Sequence, residues 1–192
     1  KISSCFVPFP DALPRPTGTC VLPTSLTVAM YIPDARAAFY GGDILASVAR
    51  AMPEVAFLVA GGNGSWLKER PANIQFLGWC SDMPAVFARC SIYLRLVPHD
   101  GLPRTVIEAL ACGRQVIYSQ PFPYCSRVRF DHAGEEVPAL LRRFQQAYCR
   151  GTFPVNTPGQ AYVMNTYQPR VLAMALLREI GIASEQKPEE QR

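Results

Sequence analysis

Short, almost fully apolar runs alternate with amphipathic stretches along most of the chain, and this alternation constrains the fold more than any other feature. A strand with one wet face alternates apolar and polar residues, whereas continuous apolar runs are typical of strands that are covered on both faces. The pattern therefore predicts strands in a buried parallel sheet. The runs are Leu26–Ile32, Val55–Ala60, Ile74–Leu77, Ile92–Leu96 and Gln115–Tyr118.

The stretches between and after these runs carry helical periodicity and helix-end signals. Leu102–Cys112 shows them most clearly, because Pro103 stands in the first turn and Gly113 follows the last. Alternating strands and helices predict an α/β fold, with three α/β/α layers around a parallel sheet. The predicted helices are Gly42–Met52, Ser81–Cys90, Leu102–Cys112, Glu135–Cys149 and Pro169–Ile180.

The two ends of the chain differ in composition from its middle. Residues 1–25 hold five prolines and are predicted to form a linker or extension. Residues 26–183 are predicted to form one domain, and residues 184–192 a polar tail. The chain starts at Lys1 rather than Met, so we expect it to be a piece of a longer protein.

Composition excludes several classes of protein. With 49% apolar and 18% charged residues the chain is not disordered, and no apolar run approaches the roughly 20 residues of a membrane span. The net charge of +4 is scattered, so no nucleic-acid footprint is predicted, although weak attraction to anionic membranes stays open. Seven cysteines without a CxxC pair indicate reduced thiols and a cytoplasmic protein, and no metal-ligand spacing occurs.

Three loops follow predicted strands and would meet at the edge where an open parallel sheet binds ligands. In Gly61–Gly64, the glycine Gly62 allows close approach of a ligand, or the loop is a plain turn. In Leu77–Asp82, Trp79 offers a flat apolar face to a base, or it is a packing residue. Ser81 or Asp82 is the expected N-cap of the helix that follows.

The third loop, Asp100–Thr105, leads into the Leu102–Cys112 helix and carries the strongest signal. The N–H groups of Leu102, Arg104 and Thr105 at a helix N-terminus suit a phosphate. Glu108 stands nearly opposite the apolar stripe, so it is either solvated or an acceptor for a ribose diol. Asp100 is either an orienting group for a sugar hydroxyl or simply an acid near the helix dipole.

Asp100-Gly101-Leu102-Pro103 followed by Glu108-Ala109-Leu110-Ala111-Cys112-Gly113 resembles the E-G-x-P-x4-E-A-x-A-x-G signature of retaining glycosyltransferases of group 1 with the GT-B fold. Ile74–Asp82 and Tyr40–Leu45 also resemble family segments in register, and the likeness covers residues ~26–118 well. The resemblance implies a Rossmann-like domain, the C-terminal half of a GT-B fold, which binds a nucleotide-diphosphate sugar and needs no metal or other cofactor.

The resemblance also implies roles for individual residues. Asp100 would be the catalytic acid that contacts the donor sugar, and Glu108 would hold the ribose. The backbone of Leu102–Thr105, with Gly101, would hold the diphosphate, and the Leu77–Asp82 loop the base. The N-terminal acceptor-binding domain of the same protein would be the partner, with peripheral membrane contact through that domain, and the chain alone would be inactive.

Two departures from the family pattern bear on activity. The first acid is Asp100 where the family usually has Glu, and Tyr40 replaces the Lys that, with an upstream Arg, neutralises the leaving diphosphate. Arg36 is a candidate for that Arg, and Arg104 is another cation near the phosphate site. Arg95 is a candidate replacement for the lysine, although we favour a surface role for it.

Two further functional classes stay open beside the glycosyltransferase. One is a degenerate module that binds nucleotide sugar or only supports an assembly, which the Tyr40 and Asp100 departures favour. The other is a nucleotide-sugar epimerase, which shares the two-domain architecture. A nicotinamide-dependent dehydrogenase is disfavoured, because no GxGxxG follows the first strand.

Overall fold

The structure, a computed structural model, describes Leu13 and residues 21–179. Its sheet has six strands in the order β3-β2-β1-β4-β5-β6, and all neighbouring strands are parallel. The predicted parallel sheet is confirmed, and each apolar run forms a strand. The strands are β1 (Thr27–Tyr31), β2 (Ala56–Ala60), β3 (Ile74–Gly78), β4 (Ile92–Arg95), β5 (Gln115–Tyr118) and β6 (Ser126–Arg127).

Helices cover both faces of this sheet, which confirms the three-layer Rossmann-like α/β fold. Helices α1 and α4 pack with Val28, Met30 and Phe57 on one face, and α2, α3 and α5 pack with Ala29, Leu58 and Tyr93 on the other. The helices are α1 (Gly42–Ala51), α2 (Met83–Ala88), α3 (Arg104–Ala111), α4 (Ala133–Cys149), α5 (Thr157–Thr166) and α6 (Pro169–Glu179).

Two elements have no counterpart among the sequence predictions. Strand β6 is only two residues long and contains no apolar run. Helix α5 has no continuous apolar stripe, since Gly159 and Val163 are its buried residues, and it begins where the Asn156 side chain accepts a hydrogen bond from the N–H of Gly159 at 3.0 Å. Both elements are positioned by tertiary contacts rather than by local pattern.

The ends of the predicted domain lie partly outside the described residues. Of the Pro-rich segment, residues 1–12 and 14–20 are not described, while Leu13 is 2% exposed within the core on the α3 face. The polar tail 184–192 and Ile180 also lie outside the described residues. Cys80, Cys125 and Cys149 are free thiols in the described part of the chain, and Cys90 and Cys112 are buried. In the described part, no helix is long and apolar enough to cross a membrane.

Candidate functional site

The carboxyl ends of the six parallel strands lie along one edge of the sheet. The loops predicted to form the site, Gly61–Gly64, Leu77–Asp82 and Asp100–Thr105, follow β2, β3 and β4, so they share this edge as predicted. Strands β1 and β4 are neighbours, and the chain proceeds outward from them in opposite directions. Such a switch point leaves a crevice above the strand ends where ligands bind in open α/β sheets.

The Gly61–Gly64 loop packs against the loop that follows β1. The carboxylate of Asp34 accepts a hydrogen bond from the N–H of Gly64 at 2.9 Å and another from the N–H of Asn63 at 3.0 Å. These backbone bonds hold the pKa of Asp34 below its ordinary value. A Cβ at Gly62 would collide with the same carboxylate. The group that lies close to the backbone of Gly62 is therefore the Asp34 carboxylate. A ligand contact at Gly62 stays a prediction.

The Leu77–Asp82 loop presents an aromatic ring to solvent. Trp79 is 76% exposed, so the alternative that it is a packing residue is wrong. Asp82 rather than Ser81 caps α2, because its Oδ1 accepts a hydrogen bond from the N–H of Ala85 at 3.1 Å. The exposed ring at the edge of the sheet is available for stacking, and its contact with a base stays a prediction.

Asp100 is held by side chains from β4 and β5. Its Oδ2 accepts hydrogen bonds from Nε of Arg95 at 2.6 Å and from the hydroxyl of Tyr118 at 2.8 Å. The side chains of Arg95 and Asp100 are 10% and 14% exposed, so the surface role favoured for Arg95 is wrong. Burial raises the pKa of Asp100, but the hydrogen bond and charge of Arg95 outweigh it and leave that pKa below its ordinary value.

The ring of Tyr40, the residue in place of the family lysine, lies between two arginines. The guanidinium carbon of Arg95 lies 5.3 Å from the centre of this ring, and that of Arg36 lies 5.8 Å from it and 4.5 Å from the ring of Phe39. These distances are within the range of cation–π attraction. The switch crevice is thus flanked by two cations, although the lysine itself is missing.

The N-terminus of α3 offers fewer backbone donors than the sequence suggests. Pro103 is the N-cap rather than a residue of the first turn, and the N–H of Arg104 already donates to the carbonyl of Leu102 at 2.9 Å. The hydroxyl of Thr105 is bonded to that of Tyr93 at 2.8 Å. Of the three N–H groups predicted to hold phosphate, those of Leu102 and Thr105 are the remaining candidates.

Glu108 is not a freely solvated glutamate. Its side chain is only 12% exposed, and its Oε1 accepts a hydrogen bond from Nε of Arg104 at 2.9 Å, one turn earlier on the same helix. The side chain of Arg104 is 57% exposed, so this ion pair is reached by solvent on one side. A carboxylate in a fixed orientation beside an open edge suits recognition of vicinal hydroxyls.

A cavity of about 370 Å³ opens at the carboxyl ends of β4 and β5. Its polar wall includes Asp100, Tyr118 and Gln120, and its apolar wall includes Leu102 and Phe122. Gln120 is fixed by hydrogen bonds from its amide to the carbonyls of Val97 and Pro98 at 3.0 and 3.1 Å. The cavity thus joins the predicted Asp100–Pro103 loop to a β5 loop that the sequence analysis did not select.

Fold and site together define the class of the domain: a Rossmann-like α/β unit, one half of a GT-B fold, with its acidic motif at the switch edge. A model of the family of glycosyl transferases group 1 matches residues 26–141. Because this match covers more than half of the chain, the chain belongs to the glycosyl transferases group 1 family.

Solved structures with the same fold are GT-B enzymes. The pneumococcal O-GlcNAc transferase GtfA, in complex with UDP and GlcNAc, matches with a TM-score of 0.65 and 16% identity over 88% of this chain and 37% of its own. TarM, from S. aureus, matches with a TM-score of 0.67 and 12% identity over 87% and 36%. This chain therefore spans little more than a third of either protein.

A third structure is itself a single domain. The C-terminal domain of the group 1 glycosyl transferase LpcC from Francisella tularensis matches with a TM-score of 0.57 and 14% identity, over 76% of this chain and 88% of that one. At identities this low the structural matches establish the fold alone, and that fold confirms the predicted correspondence to one half of a GT-B enzyme. A search of curated proteins gave no significant match.

Sequence reasoning missed Asp34 and Tyr118 and placed Arg95 wrongly. The signal for Arg95 was available, because a charged residue inside the apolar run Ile92–Leu96 is rarely buried without a partner. No comparable signal marks Tyr118, which reads as one more apolar position of β5. The role of Asp34 depends on the pairing of β1 with β2, and the sequence alone does not give that pairing.

Proposed function

We propose that this chain is the donor-binding domain of a retaining glycosyltransferase and holds a nucleotide-diphosphate sugar for transfer to a hydroxyl of an acceptor. One observation carries this proposal: each acid of the motif is held by an arginine at the ligand-binding edge, Asp100 by Arg95 and Glu108 by Arg104. Both carboxylates are thereby held in a fixed orientation beside the crevice.

In this proposal Glu108 accepts hydrogen bonds from the two hydroxyls of the ribose. The N–H groups of Leu102 and Thr105 bind the diphosphate at the positive end of α3. Arg36 and Arg95 offset the charge of the leaving group across the crevice, which is the contribution that the missing lysine would supply. Asp100 accepts a hydrogen bond from a hydroxyl of the donor sugar, and Trp79 stacks on the base.

The partner in this reaction is a second, acceptor-binding Rossmann-like domain of the same protein, facing the carboxyl edge of this sheet in the cytoplasm. The proposal requires no metal, because arginines and the helix dipole neutralise the phosphates. In the part of the chain that the structure describes, no cluster of metal-binding side chains occurs. The chain alone binds the donor but transfers nothing.

Titration calorimetry with UDP, GDP and ADP in the absence of metal tests the proposal. At least one of the three is expected to bind, and Glu108→Gln is expected to weaken that binding by about tenfold or more. The substitution replaces one charged acceptor oxygen by an NH2 donor, and a hydrogen bond to a charged group contributes about 1.5–3 kcal/mol. No heat with any of the three from a folded sample contradicts the proposal.

Two controls separate recognition of the ribose from effects on the helix. Glu135→Gln removes an exposed glutamate from the first turn of α4 and is expected to leave binding unchanged. Arg104→Gln removes the ion pair but keeps the Glu108 carboxylate, so its effect is expected to be smaller than that of Glu108→Gln. If Glu108→Gln binds as tightly as the wild type, Glu108 does not hold the ribose.

A non-catalytic module that binds nucleotide sugar is the second candidate. Tyr40 in place of the family lysine favours it, and so does the saturation of Asp100 Oδ2 by Arg95 and Tyr118. Joining the chain to its acceptor-binding half distinguishes the two candidates. An enzyme releases nucleoside diphosphate from a donor sugar when acceptor is present, whereas the module binds the same donor and releases none.

A further inference from the structure

Arg95 is the most constrained charged side chain at the carboxyl edge of the sheet. It is the last residue of β4, and its side chain is 10% exposed. Its Nε donates a hydrogen bond to Asp100 Oδ2 at 2.6 Å, and its guanidinium carbon lies 5.3 Å from the centre of the Tyr40 ring. A buried guanidinium is costly unless charge and hydrogen bonds compensate it. The carboxylate of Asp100 and the ring of Tyr40 provide that compensation, so the three side chains form one unit.

The two oxygens of Asp100 are used unequally. Oδ2 accepts from Arg95 and from the hydroxyl of Tyr118 at 2.8 Å, while Oδ1 accepts only from the N–H of Gly101 at 3.1 Å among the described contacts. An ionised carboxylate offers about four acceptor sites, two on each oxygen. Oδ2 is therefore filled, and one site remains on Oδ1, on a residue that lines the 370 Å³ cavity.

We propose that Arg95 and Tyr118 are positioning residues, which occupy Oδ2 of Asp100 so that its Oδ1 presents a single acceptor to one hydroxyl of the donor sugar. The inference rests on the proposed function, which assigns the sugar to Asp100. It goes further by naming the residues that fix this carboxylate. It also accounts for Tyr40. The ring in place of the family lysine carries no positive charge itself but stabilises the guanidinium of Arg95.

The charge of Asp100 depends on the same neighbours. Burial raises its pKa, and the hydrogen bond and charge of Arg95, with the Tyr118 hydroxyl, lower it. Other charged or titratable groups near this unit are Tyr93 on β4, Arg36 beside the ring of Tyr40, and the adjacent His99, whose ring contacts Phe39. Without Arg95, burial is opposed only by the Tyr118 hydroxyl and the N–H of Gly101, so the pKa of Asp100 is expected to be higher than in the wild type.

The test compares the affinity of the full chain for a nucleoside diphosphate and for the glucose ester of the same diphosphate. The probe is whichever of UDP, GDP and ADP binds most tightly. The proteins compared, with Arg95 and with Arg95→Gln, both carry His99→Gln so that the histidine adjacent to Asp100 is absent from each. The terminal phosphate of the free diphosphate also gains a proton between about pH 8 and about pH 5, whereas the glucose ester has no such group. The ratio of the affinity for the ester to that for the diphosphate, measured with Arg95 present, is therefore the reference at each pH. Relative to that reference, the ratio in Arg95→Gln is expected to fall by up to about tenfold toward pH 5, because Asp100 gains a proton and ceases to accept.

The affinity for the diphosphate without sugar separates this inference from the proposed function. Failure of every diphosphate to bind overturns the proposed function and, with it, the role assigned here. Normal binding of the diphosphate by the wild type, with a ratio in Arg95→Gln that follows the wild-type ratio at every pH, overturns the inference alone. So does a wild type in which the sugar adds nothing to the affinity at any pH.

A second readout does not depend on the choice of sugar or on the folding of Arg95→Gln. Carbon NMR of the Asp100 carboxyl in Tyr118→Phe, which removes only a hydroxyl, is expected to show a higher pKa than in the wild type. Tyr167→Phe removes a tyrosine hydroxyl from a ring that stacks on Phe122 and has no described contact with Asp100. It is the matched control and is expected to leave the Asp100 titration unchanged. Equal Asp100 titrations in wild type and Tyr118→Phe contradict the positioning role.

Discussion

The loops after β2 and β4 each pair one aspartate with backbone N–H groups, but they use it in opposite ways. In the first, both oxygens of Asp34 accept from the Gly61–Gly64 loop, and the loop closes on a carboxylate of the protein itself. In the second, one oxygen of Asp100 is held by side chains, the other accepts only from the N–H of Gly101 among the described contacts, and the residue lines a cavity. The first arrangement stabilises the fold, and the second leaves an acceptor for a ligand.

This difference shows why a glycine-rich loop after a strand is a poor guide to a ligand site. The N–H groups of such a loop can bind any carboxylate within reach, and in this chain the carboxylate comes from the loop after the neighbouring strand β1. The more informative signal is a charged residue in an apolar run, such as Arg95. Its burial requires an anionic partner, and that partner lies at the strand end where ligands bind.

The largest effect expected from this comparison is on stability. Gly64 has φ +74°, and an added Cβ would overlap the ring of Phe76, whereas Gly101 has nothing within 4 Å of such a Cβ. Left-handed backbone and overpacking each cost about 1–3 kcal/mol for alanine. Gly64→Ala is therefore expected to lower the free energy of unfolding by about 2–4 kcal/mol, and Gly101→Ala to change it by less than about 1 kcal/mol.

Urea unfolding of both variants measures this difference. Gly61→Ala, at φ +100° against the ring of Tyr31, provides a second closed position and is expected to behave like Gly64→Ala. Similar midpoints for Gly64→Ala and Gly101→Ala would show that the β2 loop is as open as the β4 loop.

The sequence predicted the sheet well because its strands are covered on both faces, so that each carries a continuous apolar run. It located the three edge loops for the same reason, since every loop after a parallel strand reaches the same edge. Strand β6 and helix α5 were not predicted, because a two-residue strand and a helix with a buried glycine have no apolar periodicity to recognise.

Within the site, the motif located Asp100 and Glu108 but not what holds them. Periodicity alone allowed Glu108 to be solvated, yet the side chain of Arg104 covers it. Tyr118 was hidden among the apolar residues of β5, although its hydroxyl completes the environment of Asp100. Tyr118 lies on the strand after the motif helix, and only the pairing of β4 with β5 brings its hydroxyl to Asp100.

An intermediate effect concerns the exposed ring of Trp79 in the Leu77–Asp82 loop, which has no described hydrogen bond with Asp34 or Asp100. Stacking of a base on an aromatic side chain contributes about 1–3 kcal/mol. Trp79→Ala is therefore expected to weaken binding of the nucleoside diphosphate by about 5- to about 100-fold, while the free energy of unfolding changes by less than about 0.5 kcal/mol. Calorimetry and urea unfolding measure the two quantities, and Val171→Ala, another exposed apolar residue, is the control.

The smallest effect is a dependence of stability on pH that belongs to the closed loop. The pKa of Asp34 is lowered by the N–H groups of Asn63 and Gly64, so its contribution is complete above the unfolded pKa of about 3.9 and is lost as pH falls through the folded pKa. Asp34→Asn removes this titration. The melting temperature of the wild type is therefore expected to fall more than that of Asp34→Asn between about pH 5 and about pH 2. Because Asp34 faces its own loop rather than the cavity, its substitution is expected to leave nucleotide affinity at neutral pH unchanged. A loss of affinity in Asp34→Asn as large as that in Glu108→Gln would place the ligand on the β2 loop after all and reverse the assignment of the two loops.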